Sequence, residues 1–120
     1  CYHIDLHTMP SKALLNFKKE PDIVLGDNFG KSCSFKLLHY FQNVFKENGF
    51  TVETNNPYAG GFITRNYGNP FKGVHTIQIE INRKIYMDEN KLSLKNIEIL
   101  QEIFAKIFNN LELSEKIAAE

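Results

Sequence analysis

Residues 74–83, VHTIQIEINR, set isoleucines against polar side chains in strict alternation. Ile77, Ile79 and Ile81 fall on one side, and Gln78, Glu80 and Asn82 on the other. The segment reads as a strand with a glutamate in its middle. A carboxylate flanked by isoleucines is costly to bury without a partner. Glu80 is therefore either a satisfied or solvent-facing structural acid, or a catalytic or ligating group aimed into a cleft. The opening segment alternates in the same way, with Tyr2, Ile4 and Leu6 against His3, Asp5 and His7, and it stops at Thr8-Met9-Pro10-Ser11 because proline ends the pairing. Residues 11–21 read as a loop or short irregular helix, 22–26 as a brief buried strand, and 27–30 as a turn.

Helical periodicity follows at residues 34–48. Phe35, Leu38, Phe41, Val44 and Phe45 form an apolar stripe, His39, Gln42, Asn43 and Lys46 face water, Ser32 or Ser34 serves as N-cap, and Gly49 takes the C′ position. A short strand at 50–54 leads into a long Gly/Pro/Asn-rich loop, 55–73. After the Glu80 strand, residues 86–90 turn the chain. A final helix over 94–118, capped by Ser93, buries Ile97, Leu100, Ile103, Phe104, Ile107, Phe108 and Leu111. The order β, β, α, β, loop, β, α predicts a single α/β domain over residues 1–120, a mixed or parallel sheet covered by helices.

Composition agrees with a packed domain: 120 residues, 42% hydrophobic, ten Phe and five Tyr. Fourteen basic side chains balance fourteen acidic ones, so no basic field exists to attract nucleic acid or an anionic membrane. No apolar run reaches membrane-spanning length. The chain opens without a basic segment ahead of an apolar one, and its two cysteines, Cys1 and Cys33, make a weak framework; a reducing, cytoplasmic setting is expected. It also opens inside a strand, without an initiator Met, which points to a portion of something longer.

The residues suited to chemistry gather at strand ends and in one loop. Asp5 and His7 share a face at the carboxyl end of a strand, the end at which open α/β sheets bind ligands. A histidine there can ligate metal or shuttle protons, with the aspartate acting on the same site or orienting a neighbour; a structural role for the pair is the alternative. In the loop, Gly60-Gly61 permits close backbone approach to a ligand, while Arg65 and Tyr58 suit an anion; a solvated arginine is the bland alternative. Arg83 is a second cation beside the strand. Cys33 has no visible base partner and reads as structural, and His39 as a surface histidine.

Three blocks in this order resemble the N-formylglutamate amidohydrolase family: IDLHTMPS at 4–11; DIVLGDNFG at 22–30 with Ser32-Cys33; and NPYAGGFITR at 56–65 running into QIEINR at 78–83 and Tyr86-Met87-Asp88. The resemblance covers the chain to about residue 89. It implies a three-layer α/β/α fold with a mixed sheet, a phosphorylase/hydrolase-like arrangement similar to zinc carboxypeptidases and aspartoacylases. It further implies hydrolysis of N-formyl-L-glutamate to formate and glutamate, with His7 as a zinc ligand, Glu80 as general base and acid, and Asn56, Tyr58, Arg65 and Arg83 holding the substrate's carboxylates. The family pattern also has an amino-terminal half that supplies the other zinc ligands; His3 and His75 are outside the ligand set. The expectation is therefore a carboxyl-terminal portion acting on an acyl amino acid. The competing reading is an inactive truncated remnant that binds a small molecule or self-associates through an exposed sheet edge.

Overall fold

The alternating segment around Glu80 becomes the central strand of a four-stranded mixed sheet in the computed structural model, which describes residues 1–119 and the side chains through Leu111. Strand order is β1-β4-β2-β3, with β1 at Tyr2–Met9, β2 at Ile23–Gly26, β3 at Val52–Thr54 and β4 at His75–Asn82. β1 runs parallel to β4, β2 antiparallel to β4, and β3 parallel to β2. β1 and β2 flank β4 and pair both of its edges, and β4 is buried from Thr76 to Asn82 on both faces, polar residues included. The mixed α/β fold expected from the sequence is present.

The chain separates into two compact units, Cys1–Arg83 and Lys84–Glu120. In the first, α1 (Phe35–Glu47) lies against β2 and β3, and a short helix, α2 (Phe62–Tyr67), lies against β4. The Glu80 face of the sheet carries a core of Met9, Leu14 and Val24, with Phe17 and Tyr58 packed on it. Of the two candidate caps, Ser34 is the one that accepts the Leu37 N–H of α1, at 3.2 Å. Ser32 instead donates its hydroxyl to the Thr76 carbonyl at 2.7 Å.

Three local expectations are corrected. Phe35, placed in the buried stripe of α1, is 73% exposed and stacks on His39; Leu37 is buried with Leu38, Phe41 and Phe45. The stripe is thus rotated toward position 37, and Phe35 begins the helix off the buried face. The loop over 55–73 contains α2, missed because Gly60-Gly61 and the β-branched pair Ile63-Thr64 are poor helix formers, and six residues form a helix only when docked. Ser93 does not cap the last helix. Met87–Asp88 (β5) pairs antiparallel with Ser93–Leu94 (β6), and α3 starts at Ile97. Asp88 drives this turn, since its Oδ1 accepts the N–H groups of Asn90 and Lys91 at 3.0 and 3.1 Å. Within α3, Leu100, Phe104, Ile107 and Leu111 are buried, a stripe at helical spacing.

Candidate functional site

Parallel pairing of β1 with β4 decides which polar side chains meet. Asp5 stands opposite Gln78 and His7 opposite Glu80. All four point to the same face because each pair is two residues apart on its strand. His7 sits between two carboxylates: Nε2 lies 3.0 Å from Asp5 Oδ2 and Nδ1 3.6 Å from Glu80 Oε1. Nε2 is thus directed at Asp5 and Nδ1 at Glu80. The His7 side chain is 44% exposed and that of Glu80 only 8%. The histidine thus reaches solvent while the carboxylate it faces is buried. Burial pushes the Glu80 carboxyl above its usual range; His7, the Gln78 hydrogen bond and Arg83 oppose that shift, and Asp5 adds to it.

The loop over 55–61 is held above this pair by named contacts. Asn55 exchanges hydrogen bonds with Asp27, its Oδ1 accepting the Asp27 N–H at 3.0 Å and its Nδ2 donating to Asp27 Oδ1 at 2.7 Å. The Asn28 N–H donates to the Ala59 carbonyl at 2.8 Å. Gly26 lets the loop lie flat on the sheet: a Cβ there would come within 2.7 Å of Ala59 C and Gly60 N. Gly60, at φ 118, adopts a conformation that favours glycine, with Thr64 directly beneath it. The Gly61 N–H donates to Gln78 Oε1 at 2.8 Å, and Gln78 Nε2 donates to Glu80 Oε1 at 2.8 Å. Together these border an open cavity of about 320 Å³ lined by His7, Pro57, Tyr58, Ala59, Gly60, Gly61 and Gln78. A larger cavity, about 370 Å³, follows residues 94–99 of the second unit. It offers only Lys95 and Glu98 as charged groups, whereas the smaller one is lined by the histidine that faces Glu80.

Of the residues singled out from the sequence, His7 and Tyr58 line this cavity, and Glu80 lies beside it in contact with His7. Arg83 is half-buried, its Nε donating to Thr8 Oγ1 at 3.3 Å, and it acts electrostatically on Glu80. Asn56 is exposed next to Pro57, and Arg65 is exposed in the last turn of α2; neither is among the lining residues. His75 accepts the Ser34 N–H through Nδ1 at 2.9 Å, a structural task at the start of β4. Gln78 was not singled out, although its place two residues before Glu80 on one face was visible. Cys1 and Cys33 are both free thiols.

His7 suits one coordination position, with Asp5 orienting its ring. A catalytic zinc needs about three protein ligands, and among the described residues no three His, Cys, Asp or Glu side chains are grouped to hold a metal ion. These residues alone do not make a complete zinc shell.

A mixed α/β sheet that brings a histidine and a buried glutamate together at adjacent strand ends, under a glycine-rich loop, is the kind of arrangement from which α/β enzymes build small-molecule sites. The particular family is specified by comparison: the N-formylglutamate amidohydrolase family pattern matches residues 1–87, and the chain belongs to that family. It is 39% identical over 74 residues to the N-formylglutamate deformylase of Pseudomonas putida, covering 61% of this chain and 28% of that protein. The corresponding figures for the Pseudomonas aeruginosa deformylase are 40% over 70 residues, 58% and 26%. The chain thus spans about a quarter of the length of these relatives. The crystal structure of the N-formylglutamate amidohydrolase of Ralstonia eutropha superposes with a TM-score of 0.86 at 29% identity, over 98% of this chain and 44% of that one.

Proposed function

We propose that this chain forms the proton-transfer and substrate-loop portion of an amidohydrolase that cleaves N-formyl-L-glutamate to formate and L-glutamate. The observation that carries the reading is the His7–Glu80 pair, in register on adjacent parallel strands beside the Tyr58–Gly61 cavity. Glu80 takes a proton from water as the oxygen attacks the formyl carbon, then delivers it to the amide nitrogen as the C–N bond breaks. Formate and the free amine leave. A carboxyl whose affinity for protons is raised by burial is suited to both halves of that transfer. Tyr58 from the cavity wall and Arg83 from the end of β4, with Asn56 and Arg65 from the loop and α2, would hold the two carboxylates of the glutamate moiety.

Zinc belongs to this reading through His7 alone, with its remaining ligands from outside these residues. Bound there, it would supply a Lewis acid and a more acidic water. The neutral charge balance disfavours nucleic acid as a partner. No helix among the described residues is long and apolar enough to cross a membrane. Two unbridged thiols suit a cytoplasmic setting.

The test measures bound zinc and deformylase turnover in the polypeptide that carries this chain, wild type beside His7→Ala and Glu80→Ala. Loss of zinc with His7→Ala is expected, together with retained zinc and a loss of turnover of about 10²- to 10⁴-fold with Glu80→Ala. A wild type with neither zinc nor turnover would overturn the proposal in favour of a remnant that binds a small molecule or self-associates. β1, at the edge of the sheet with Leu6 51% exposed, is the surface available for self-association.

A further inference from the structure

We propose that Gln78 is a positioning residue that fixes Glu80 and the Gly60-Gly61 turn in a single geometry; this rests on the reading of Glu80 as the proton-transfer group. Gln78 is 4% exposed, so its amide has to find partners inside the protein. The orientation of that amide is dictated by its surroundings. A backbone N–H, that of Gly61, faces one end at 2.8 Å, so that end must be the oxygen. The NH₂ is thereby turned onto Glu80 Oε1 at 2.8 Å. Oε1, the oxygen that also faces His7 Nδ1 at 3.6 Å, is the held oxygen of Glu80. Oε2 is the oxygen that Gln78 does not engage.

The surroundings leave little slack in this arrangement. In the antiparallel register, Gly26 stands opposite Gln78, and its missing side chain provides the space in which Ala59 and Gly60 reach the sheet. A Cβ on Gly61 would meet Gln78 Oε1 at 3.4 Å, so the turn already sits at contact distance from the amide. A movement of the cavity-lining loop is thus transmitted through one side chain to the carboxylate. Glutamine is the side chain of this length that can accept from the loop and donate to the acid at once.

Two substitutions separate the halves of the clamp. Gln78→Glu keeps an oxygen for Gly61 but sets a second carboxylate against Glu80. Gln78→Met removes both bonds at similar volume. Amide exchange and the chemical shift of Gly61 report the loop half; kcat and KM on N-formyl-L-glutamate report the other. Gln78→Met is expected to speed Gly61 exchange about tenfold. It should also lower kcat by about tenfold to a hundredfold, with KM changed less. Gln78→Glu is expected to keep the Gly61 protection and still lose kcat. A separate measurement is independent of turnover: Glu80→Ala must shift the side-chain amide signals of Gln78 and the Gly61 N–H signal. Unmoved signals in Glu80→Ala, unchanged Gly61 exchange in Gln78→Met, or wild-type kcat in Gln78→Glu would each overturn the proposal. If turnover is absent or indifferent to Glu80→Ala, the reading of Glu80 fails instead, while the coupled signals still decide whether the clamp exists.

Discussion

Gly26→Ala tests whether the loop over 55–61 is held by direct contact with the sheet. An alanine Cβ would lie 2.7 Å from Ala59 C and Gly60 N and 3.0 Å from Ala59 O. Those atoms are backbone and cannot swing aside, so the loop must retreat by about 0.7 Å to reach ordinary contact. Overpacking of this kind costs about 1–3 kcal/mol, and three backbone atoms in conflict place the expected loss near the top of that range. Gly30→Ala supplies the contrast. Nothing lies within 4 Å of a Cβ there, but Gly30 has φ +83, and an L-residue in that region costs about 1–2 kcal/mol. Urea unfolding read by circular dichroism measures both. With a slope of about 1.5 kcal/mol per molar, Gly26→Ala should lower the midpoint by nearly 2 M and Gly30→Ala by about 1 M. A Gly26→Ala protein at least as stable as Gly30→Ala would refute the reasoning, because it would show that the loop moves off the sheet at little cost.

Two further outcomes follow from the buried titratable groups. Burial, with Asp27 adding to it, pushes the Cys33 thiol up to about 12, whereas Cys1 is exposed. A thiol reagent at pH 8 should label one cysteine in the native chain and two in urea; rapid native labelling of both would contradict the buried placement. For Glu80 the sign follows from the raised native value. The folded state holds its proton more tightly than the unfolded chain does, so the contribution of Glu80 to stability is complete below the ordinary value of 4.5 and is lost as pH rises through the elevated one. Glu80→Gln should therefore raise the unfolding midpoint at pH 7 relative to wild type, and the gain should shrink toward pH 4. A gain that is independent of pH would mean that Glu80 is not strained by ionisation.

Much of the architecture is local in origin and legible without coordinates. Period-2 alternation identified β1 and β4 and put Asp5, His7, Gln78 and Glu80 on definite faces, because side chains on a strand alternate whatever the neighbours are. Apolar spacing located α1 and α3, and proline and glycine marked most of the boundaries. Short elements were different. α2 and the β5–β6 hairpin are too brief for a periodic signal, and each is held by contacts, α2 by docking on β4 and the hairpin by the Asp88 turn.

What alternation could not contain is which strand lies beside which. The parallel register that sets His7 against Glu80, and the antiparallel one that sets Gly26 against Gln78, join residues 73 and 52 positions apart in the chain. That choice is made by the packing of the whole sheet. It turns an exposed-looking Asp-x-His and a glutamate among isoleucines into one half-buried cluster. It also sinks Gln78 between the loop and the acid, where only tertiary structure could show that its amide has two partners.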